Sequence, residues 1–362
     1  MKIKKINTKT RLANAIVSPV VSIENAIKIM DNAGLGVLLI CGDDQFLIGI
    51  LTDGDVRRAL MKRISFKNPC EQIAEKNPLT AVEGITPVEA LNIMDHGRRF
   101  LINRLPILDK KNRVVDLWLR SDLIAGENNI DLQAVVMAGG FGKRLKPLTD
   151  DLPKPMLPMG DKPMMEHIID QLREASVKDI RVTTHFMPEK IKDHFGNGEN
   201  FGVKIDYVPE EKPLGTAGAI GLMPKPDTTS LVINGDIMTG VDFRAMLEYH
   251  RMHNADITVG VRKFEIQVPY GVLKTDESKI TGIDEKPVLD FFVNAGIYLL
   301  EPSVHKLIPK NERFDMTDLI ESVISQEGSV ISFPILEYWF DIGRLEDYQT
   351  AQDKLLNGRL KK

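Results

Sequence analysis

Cysteine is almost missing from the 362-residue chain, with Cys41 and Cys70 its only two. That excludes a disulfide framework and a structural zinc site built on thiolates. No apolar run reaches the ~18 residues that a membrane-spanning helix requires. The basic start, MKIKKINTKTR, lacks an apolar core and a cleavage site, so no secretory leader is expected. A reducing cytoplasm is the expected setting. Charge bias is missing as well: 47 Lys and Arg against 51 Asp and Glu leave a formal charge of −4. Nucleic acid and anionic membrane are therefore not expected as partners. At 6%, aromatic residues offer little material for a single-strand stacking platform. What is present is an ordinary globular composition, 43% hydrophobic and 27% charged, over a length that suggests two or three domains.

The first third of the chain repeats itself. SIENAIKIMD (22–31) and TPVEALNIMD (86–95) lie 64 residues apart. Ile23, Ala26, Ile27 and Met30 map onto Pro87, Ala90, Leu91 and Met94, each set an i, i+3, i+4, i+7 helical stripe. Ser22 and Thr86 occupy N-cap positions, and Thr86 with Glu89 reads as a capping box that has Pro87 as its first helical residue. Each helix precedes two apolar runs, Val37–Ile40 and Phe46–Leu51 in the first copy. In the second copy these are Phe100–Ile102 with Leu105–Leu108, then Val114–Leu119. This helix–strand–strand–helix pattern resembles a tandem pair of CBS domains, at about 12–62 and 76–125 within residues 1–125. In that family the cleft between copies often holds an adenine nucleotide, and such pairs tend to form homodimers. Gly49, Thr52 and Asp55 fit the family's ligand motif. The second copy keeps Asp122 but has Asp116 and Leu119 in place of the Gly and the hydroxyl. One regulatory nucleotide near Thr52 and Asp55 is therefore expected, although Thr and Asp are also ordinary helix caps. GENN (126–129) reads as part of a linker at 126–130, ahead of a second domain at 131–362.

That domain opens with a short apolar run, LQAVVM, and then Ala138-Gly139-Gly140-Phe141-Gly142-Lys143-Arg144-Leu145. Three glycines let the backbone approach an anion, and its N–H groups can cradle phosphate. The third glycine of GxGxxG is missing, and Lys143 is followed by Arg144 rather than Ser or Thr. Neither the dinucleotide fingerprint nor the P-loop is met. Lys154 follows in PKPMLP, held between prolines. Met165, Ile168, Ile169 and Leu172 make a helical stripe. Apolar runs at Val135–Met137, Ile180–Thr183, Leu231–Ile233 and Ile257–Val261 alternate with helical stretches, the pattern of a mostly parallel sheet covered by helices.

The string AVVMAGGFGKRLKPLT…LPKPMLP resembles the sugar-1-phosphate nucleotidylyltransferases. EEKPLGTAGAI, LVINGD, YGV, DEKP, NAGIY and WFDIG follow in family order. The resemblance implies a Rossmann-like α/β fold with a mostly parallel mixed sheet. It also implies in-line attack of a sugar 1-phosphate on the α-phosphorus of an NTP, releasing pyrophosphate. Carried onto matching positions, it implies that Ala138, Gly139, Gly140, Gly142 and Arg144 hold the nucleotide phosphates. Lys154 is to bridge the α-phosphate and the attacking phosphate, and Gly215 to approach base or ribose with bare backbone. Asp236 and Asp341 are to ligate Mg²⁺, as two carboxylates with phosphate oxygens and water can. Gly271, Glu285, Lys286 and Asn294 are to serve the sugar phosphate. A CBS pair ahead of such a domain resembles guanylyltransferases of bacterial nonulosonic (legionaminic-type) acid pathways. GTP and glucosamine or a related hexosamine 1-phosphate are thus the expected substrates. A UTP- or CTP-dependent enzyme and a non-catalytic sugar-nucleotide-binding subunit stand as alternatives. No metal pair is expected at His250 and His253, which lack a carboxylate at matching spacing. With 21 residues after Asp341 and no hexapeptide repeat, a β-helix acyltransferase domain is not expected.

Overall fold

The structure is a computed structural model that describes residues 8–96, 102–123 and 131–356. The expected linker at 126–130 and Phe100 lie outside the described residues. The chain forms two compact units. One comprises Met1–Ile130 with Phe243–Asn254, and the other Asp131–Asp242 with Ala255–Lys362.

In the first unit each repeat forms a short strand, a helix, two strands and a helix. Helix Ile23–Ala33 begins at Ser22, whose hydroxyl accepts the Asn25 N–H at 3.3 Å. It ends at Gly34, in the left-handed region, whose N–H reaches the carbonyls of Met30 and Asp31. Val37–Cys41 pairs antiparallel with Leu47–Thr52 and parallel with Ile16–Val17. The second copy repeats this with Arg104–Leu108 between Val114–Leu119 and Ala81–Val82. Its helix Pro87–His96 carries the expected capping box, Glu89 accepting from the N–H and hydroxyl of Thr86. Leu39 and Ile50 of the first copy share one core with Val114 and Leu117 of the second, so neither copy buries its apolar face alone. Helix Phe243–Met252 also belongs to this unit. Its Glu248 pairs with Arg104 at 3.0 Å, and Arg58 reaches the Met252 sulfur at 3.7 Å.

The second unit is built on a seven-stranded sheet. Its order is Lys204–Pro209, Asp179–Thr184, Gln133–Met137, Ser230–Asn234, Val288–Leu300, Ile257–Gln267 and Val330–Pro334. Every strand except Val288–Leu300 runs the same way. The apolar runs seen in the sequence are the central strands, and helix Met164–Glu174 buries Met165, Ile168, Ile169 and Leu172 as its stripe requires. Parallel strands place their carboxyl ends together. Gly139 therefore follows Met137 at the same edge where Gly235 and Asp236 follow Asn234, and the Gly235 N–H bonds the Met137 carbonyl at 2.9 Å. A separate ribbon pairs Ile237–Thr239 with Trp339–Asp341, setting Ile237 opposite Asp341. The distal halves of Ile257–Gln267 and Val288–Leu300, with the hairpin Val272–Asp276/Lys279–Asp284, form an exposed arm.

Candidate active site

The three glycines of the loop answer different demands. A Cβ on Gly139 would lie 2.6 Å from the Glu210 carboxylate. Gly142 has φ +62°, and a Cβ there would meet Thr149 Cγ2 at 2.9 Å and Lys154 Cβ at 3.2 Å. Thr149 also donates its hydroxyl proton to the Gly142 carbonyl at 2.9 Å, clamping the loop to the proline-rich segment. Gly140 alone faces open space, with nothing within 4 Å. It is the glycine whose bare backbone a ligand can approach.

A cleft of about 310 Å³ opens beside Gly140, lined by residues 140–145 with Lys154, Asp236 and Gly343. Lys154 forms an ion pair with Asp236, both largely shielded. The other oxygen of Asp236, Oδ1, is buried with no hydrogen-bond partner among the described residues. A buried unpaired carboxylate oxygen is costly and calls for a cation or donor. Asp341 is set beside it: the Ile342 N–H donates to the Asp236 carbonyl at 3.1 Å, and Ile237 stands opposite Asp341 in the ribbon. Solvent reaches Asp341, yet its carboxyl is pushed above the ordinary range, first by desolvation and then by the charge of Asp236. Lys154 and Arg144 pull it back. The Arg144 guanidinium comes within 3.9 Å of the Cβ position of Gly343, which lies 3.5 Å from Asp341 Oδ1. Arg144, Lys154 and Asp236 thus line one cleft, and Asp341 stands beside Asp236 at its edge. Two hard oxygen ligands with an orphaned lone pair suit a divalent cation whose remaining positions go to phosphate oxygens and water. Among the described residues no third His, Cys, Asp or Glu joins them.

The other expected site residues lie outside the lining of that cleft. Gly271 and Glu285 meet on the arm, Glu285 Oε2 lying 3.0 Å from the Cβ position of Gly271, and Glu285 and Lys286 are exposed. Asn294 sits where the arm joins the sheet and accepts the Gly296 N–H at 3.0 Å. Gly296 in turn abuts Asn234, two residues before Asp236. Gly215 also has a packing reason to be glycine. Its φ is +81°, and a Cβ would strike Asp315 Oδ1 at 2.5 Å and the Phe314 carbonyl at 2.8 Å. Packing against Phe314–Asp315 already demands a glycine there, and Asp315 accepts the Thr216 N–H at 3.0 Å.

Sequence reasoning missed Glu210, which is 9% exposed. Its carboxylate accepts the Leu214 N–H at 3.1 Å and touches Gly139, tying the loop before Gly215 to the phosphate loop. Burial pushes its pKa up, opposed by the Leu214 N–H and His185. The signal was the acidic pair of PEEKPLG directly after strand Lys204–Pro209. Two of the histidines bond main-chain carbonyls: His167 that of Met159 at 2.8 Å, and His253 that of Tyr249 at 2.8 Å.

In the first unit Thr52 and Asp55 cap helix Asp53–Met61 reciprocally, Asp55 accepting from the Thr52 N–H at 2.8 Å and from its hydroxyl at 2.6 Å. Asp55 also pairs with Arg58, and Asp122 with Arg11. All three expected nucleotide residues have protein partners.

A nucleotidyl transferase family model matches residues 133–358, and the CBS domain model matches 10–62 and 70–127. A mannose-1-phosphate guanyltransferase of Yarrowia lipolytica is 36% identical over 241 residues, covering 64% of this chain and 66% of that protein. A mannose-1-phosphate guanylyltransferase of Mycobacterium tuberculosis is 32% identical over 235 residues, covering 63% and 65%. The chain thus spans just under two thirds of these relatives' length. Among solved structures, a putative glucose-1-phosphate thymidylyltransferase of Bacillus anthracis superposes with a TM-score of 0.51 at 27% identity, over 61% of this chain and 94% of that one. No helix among the described residues is long and apolar enough to cross a membrane. With 133–358 matched and its glycine loop, lysine and two aspartates gathered at one cleft, the chain belongs to the nucleotidyl transferase family.

Proposed function

We propose that this chain transfers a nucleoside monophosphate from an NTP, GTP by preference, to a sugar 1-phosphate. The arrangement of Arg144, Lys154 and Asp236 along the glycine-lined cleft, with Asp341 at its edge, carries this reading. The sugar phosphate oxygen forms a bond to the α-phosphorus as the bond to pyrophosphate breaks, so no protein nucleophile is needed. The protein's part is to position two polyanions and neutralise the charge that develops between them. The Gly140 backbone receives the triphosphate and Arg144 offsets its charge. Lys154, already drawn to Asp236, is placed to shift onto the α-phosphate. Asp236 and Asp341 would hold Mg²⁺, which when bound offsets phosphate charge as a Lewis acid. Glu285, Lys286, Gly271 and Asn294 take the sugar phosphate.

The names of the relatives support guanine as the base, and a hexose 1-phosphate as acceptor. The CBS arrangement favours a hexosamine 1-phosphate. A cytoplasmic location and an adenine nucleotide at the first unit accompany this reading. The test is pyrophosphate release with four NTPs against mannose, glucose and glucosamine 1-phosphates, with and without Mg²⁺. GTP with glucosamine 1-phosphate should be fastest. No turnover with any pair would refute the enzyme reading.

A further inference from the structure

Asp236 and Asp341 reach the cleft by different routes. Asp236 follows directly on the central strand Ser230–Asn234, whereas Asp341 arrives on a strap outside the main sheet. Strand Val330–Pro334 ends beside Val261, and there the Ile335 N–H donates to the Val261 carbonyl at 2.8 Å. The chain then leaves the sheet and runs to the ribbon strand Trp339–Asp341, opposite Ile237–Thr239. Ile335 and Ile342, 1% and 0% exposed, anchor the two ends of the strap. None of the six residues between them, 336–341, is buried. Packing therefore fixes the ends, and hydrogen bonds must fix the middle.

Those bonds can be followed along the strap. Arg262 Nη1 donates to the carbonyls of Ile335 and Glu337, both at 2.8 Å. The Tyr338 carbonyl accepts the Gly240 N–H at 3.0 Å and the Thr239 hydroxyl at 3.1 Å. The Trp339 indole N–H donates to the Ala295 carbonyl at 2.9 Å. Of these donors only Arg262 is charged, and a charged donor makes a bond roughly twice as strong as a neutral one. One nitrogen bridging two carbonyls two residues apart also sets the direction in which the strap departs, because guanidinium donors are held in a rigid plane. Arg262 lies one residue past the last pair between its own strand and Val330–Pro334, and it is not part of the cleft lining.

We propose that Arg262 is a positioning residue for nucleotidyl transfer: by holding the Ile335 and Glu337 carbonyls it sets the Asp341 carboxylate beside that of Asp236, so that both reach one divalent cation. The inference rests on the metal role assigned above to these two aspartates. Mg²⁺ demands near-octahedral ligands at about 2.0–2.1 Å, so a strap that drifts by an ångström removes one of the two carboxylates. Trp339 secures the same placement through Ala295. Loss of a group that orients a metal ligand typically lowers metal affinity by about 10–100-fold.

Calorimetric titration of the full chain with GTP, once in excess Mg²⁺ and once in EDTA, tests this. Asp341→Asn should weaken binding of Mg·GTP at least tenfold without weakening binding of metal-free GTP. Arg262→Ala should weaken Mg·GTP about tenfold and change metal-free GTP by less than twofold, a selectivity that a general loosening of the fold would not give. Because the arginine acts through Asp341, the double variant R262A/D341N should bind Mg·GTP no more weakly than Asp341→Asn alone. Trp339→Phe keeps an aromatic ring without the indole donor and should show the same selective loss, at least threefold; it decides the matter if Arg262→Ala does not fold. Equal losses with and without Mg²⁺, no loss with Mg²⁺, or additive losses in the double variant would overturn the proposal. An unchanged Mg·GTP affinity in Asp341→Asn would overturn the metal assignment itself, and this inference with it.

Discussion

Replacing Gly140 and Gly142 by alanine separates a glycine that serves a ligand from one that serves the fold. At Gly142 the φ of +62° strains any L-residue, by about 1–2 kcal/mol. The added Cβ also meets Thr149 Cγ2 at 2.9 Å, and overpacking of this kind costs about 1–3 kcal/mol. Together these predict a loss of roughly 2–5 kcal/mol, and at ~2–4 °C per kcal/mol for a unit of this size the second unit should melt about 4–20 °C lower. At Gly140 no strain and no contact arise, and reduced freedom of the unfolded chain should leave stability equal or about 0.4–1 kcal/mol higher. The methyl group would instead occupy the cleft face that the triphosphate is proposed to approach. A displacement near 1 Å can lower catalysis about 10²-fold. Calorimetric melting and pyrophosphate release on both variants are the assays. Full activity in Gly140→Ala would refute the cradle assignment, and an unchanged melting temperature in Gly142→Ala would refute the packing argument.

Lys154→Ala should slow turnover by about 10²–10³-fold with the fold retained, because the ammonium acts on charge in the transition state; pyrophosphate release within twofold of wild type would remove it from the mechanism. Asp341 has a raised pKa, so its contribution to stability is full below the ordinary carboxylate range and is lost as pH rises through the folded value. Asp341→Asn should therefore melt higher than wild type at pH 7 without metal, melt alike near pH 3, and be inactive at both; equal melting at pH 7 would contradict the electrostatic account. Thr52→Ala removes one half of a capping box and should destabilise the first unit by about 1 kcal/mol. Titration calorimetry of AMP and ATP against the full chain and this variant should show binding weakened at least tenfold, and an equal affinity would leave Thr52 with only its capping role.

Local patterns carried much of this structure. The stripe from Met165 to Leu172 and the apolar runs at Val135–Met137 and Leu231–Ile233 name their elements because each is a short-range response to burial on one face or both. Arg144, Lys154, Asp236 and Asp341 were legible as an ordered set of motifs, and the parallel sheet together with the separate antiparallel ribbon explains why residues so distant in sequence meet. Pairings across the fold were not legible. Nothing near Gly215 announces that Phe314 and Asp315 fill its open side, and nothing around Glu210 announces its burial against Gly139. At Thr52 and Asp55 a cap and a nucleotide site require the same residue types, so the sequence left two readings, and in the fold the two side chains form the reciprocal cap.

Helix Phe243–Met252 sits in the middle of the transferase sequence but packs with the CBS repeats, its Tyr249 and His250 almost wholly buried and Tyr249 3.7 Å from the Cβ position of Gly54. Cutting the gene at codon 130 would consequently not yield two self-sufficient polypeptides. The C-terminal fragment would present an aromatic helix stripped of its packing partners, and the N-terminal fragment would lack the residue that neutralises Arg104. Chimeras that exchange domains must carry residues 243–254 from the same parent as residues 1–130.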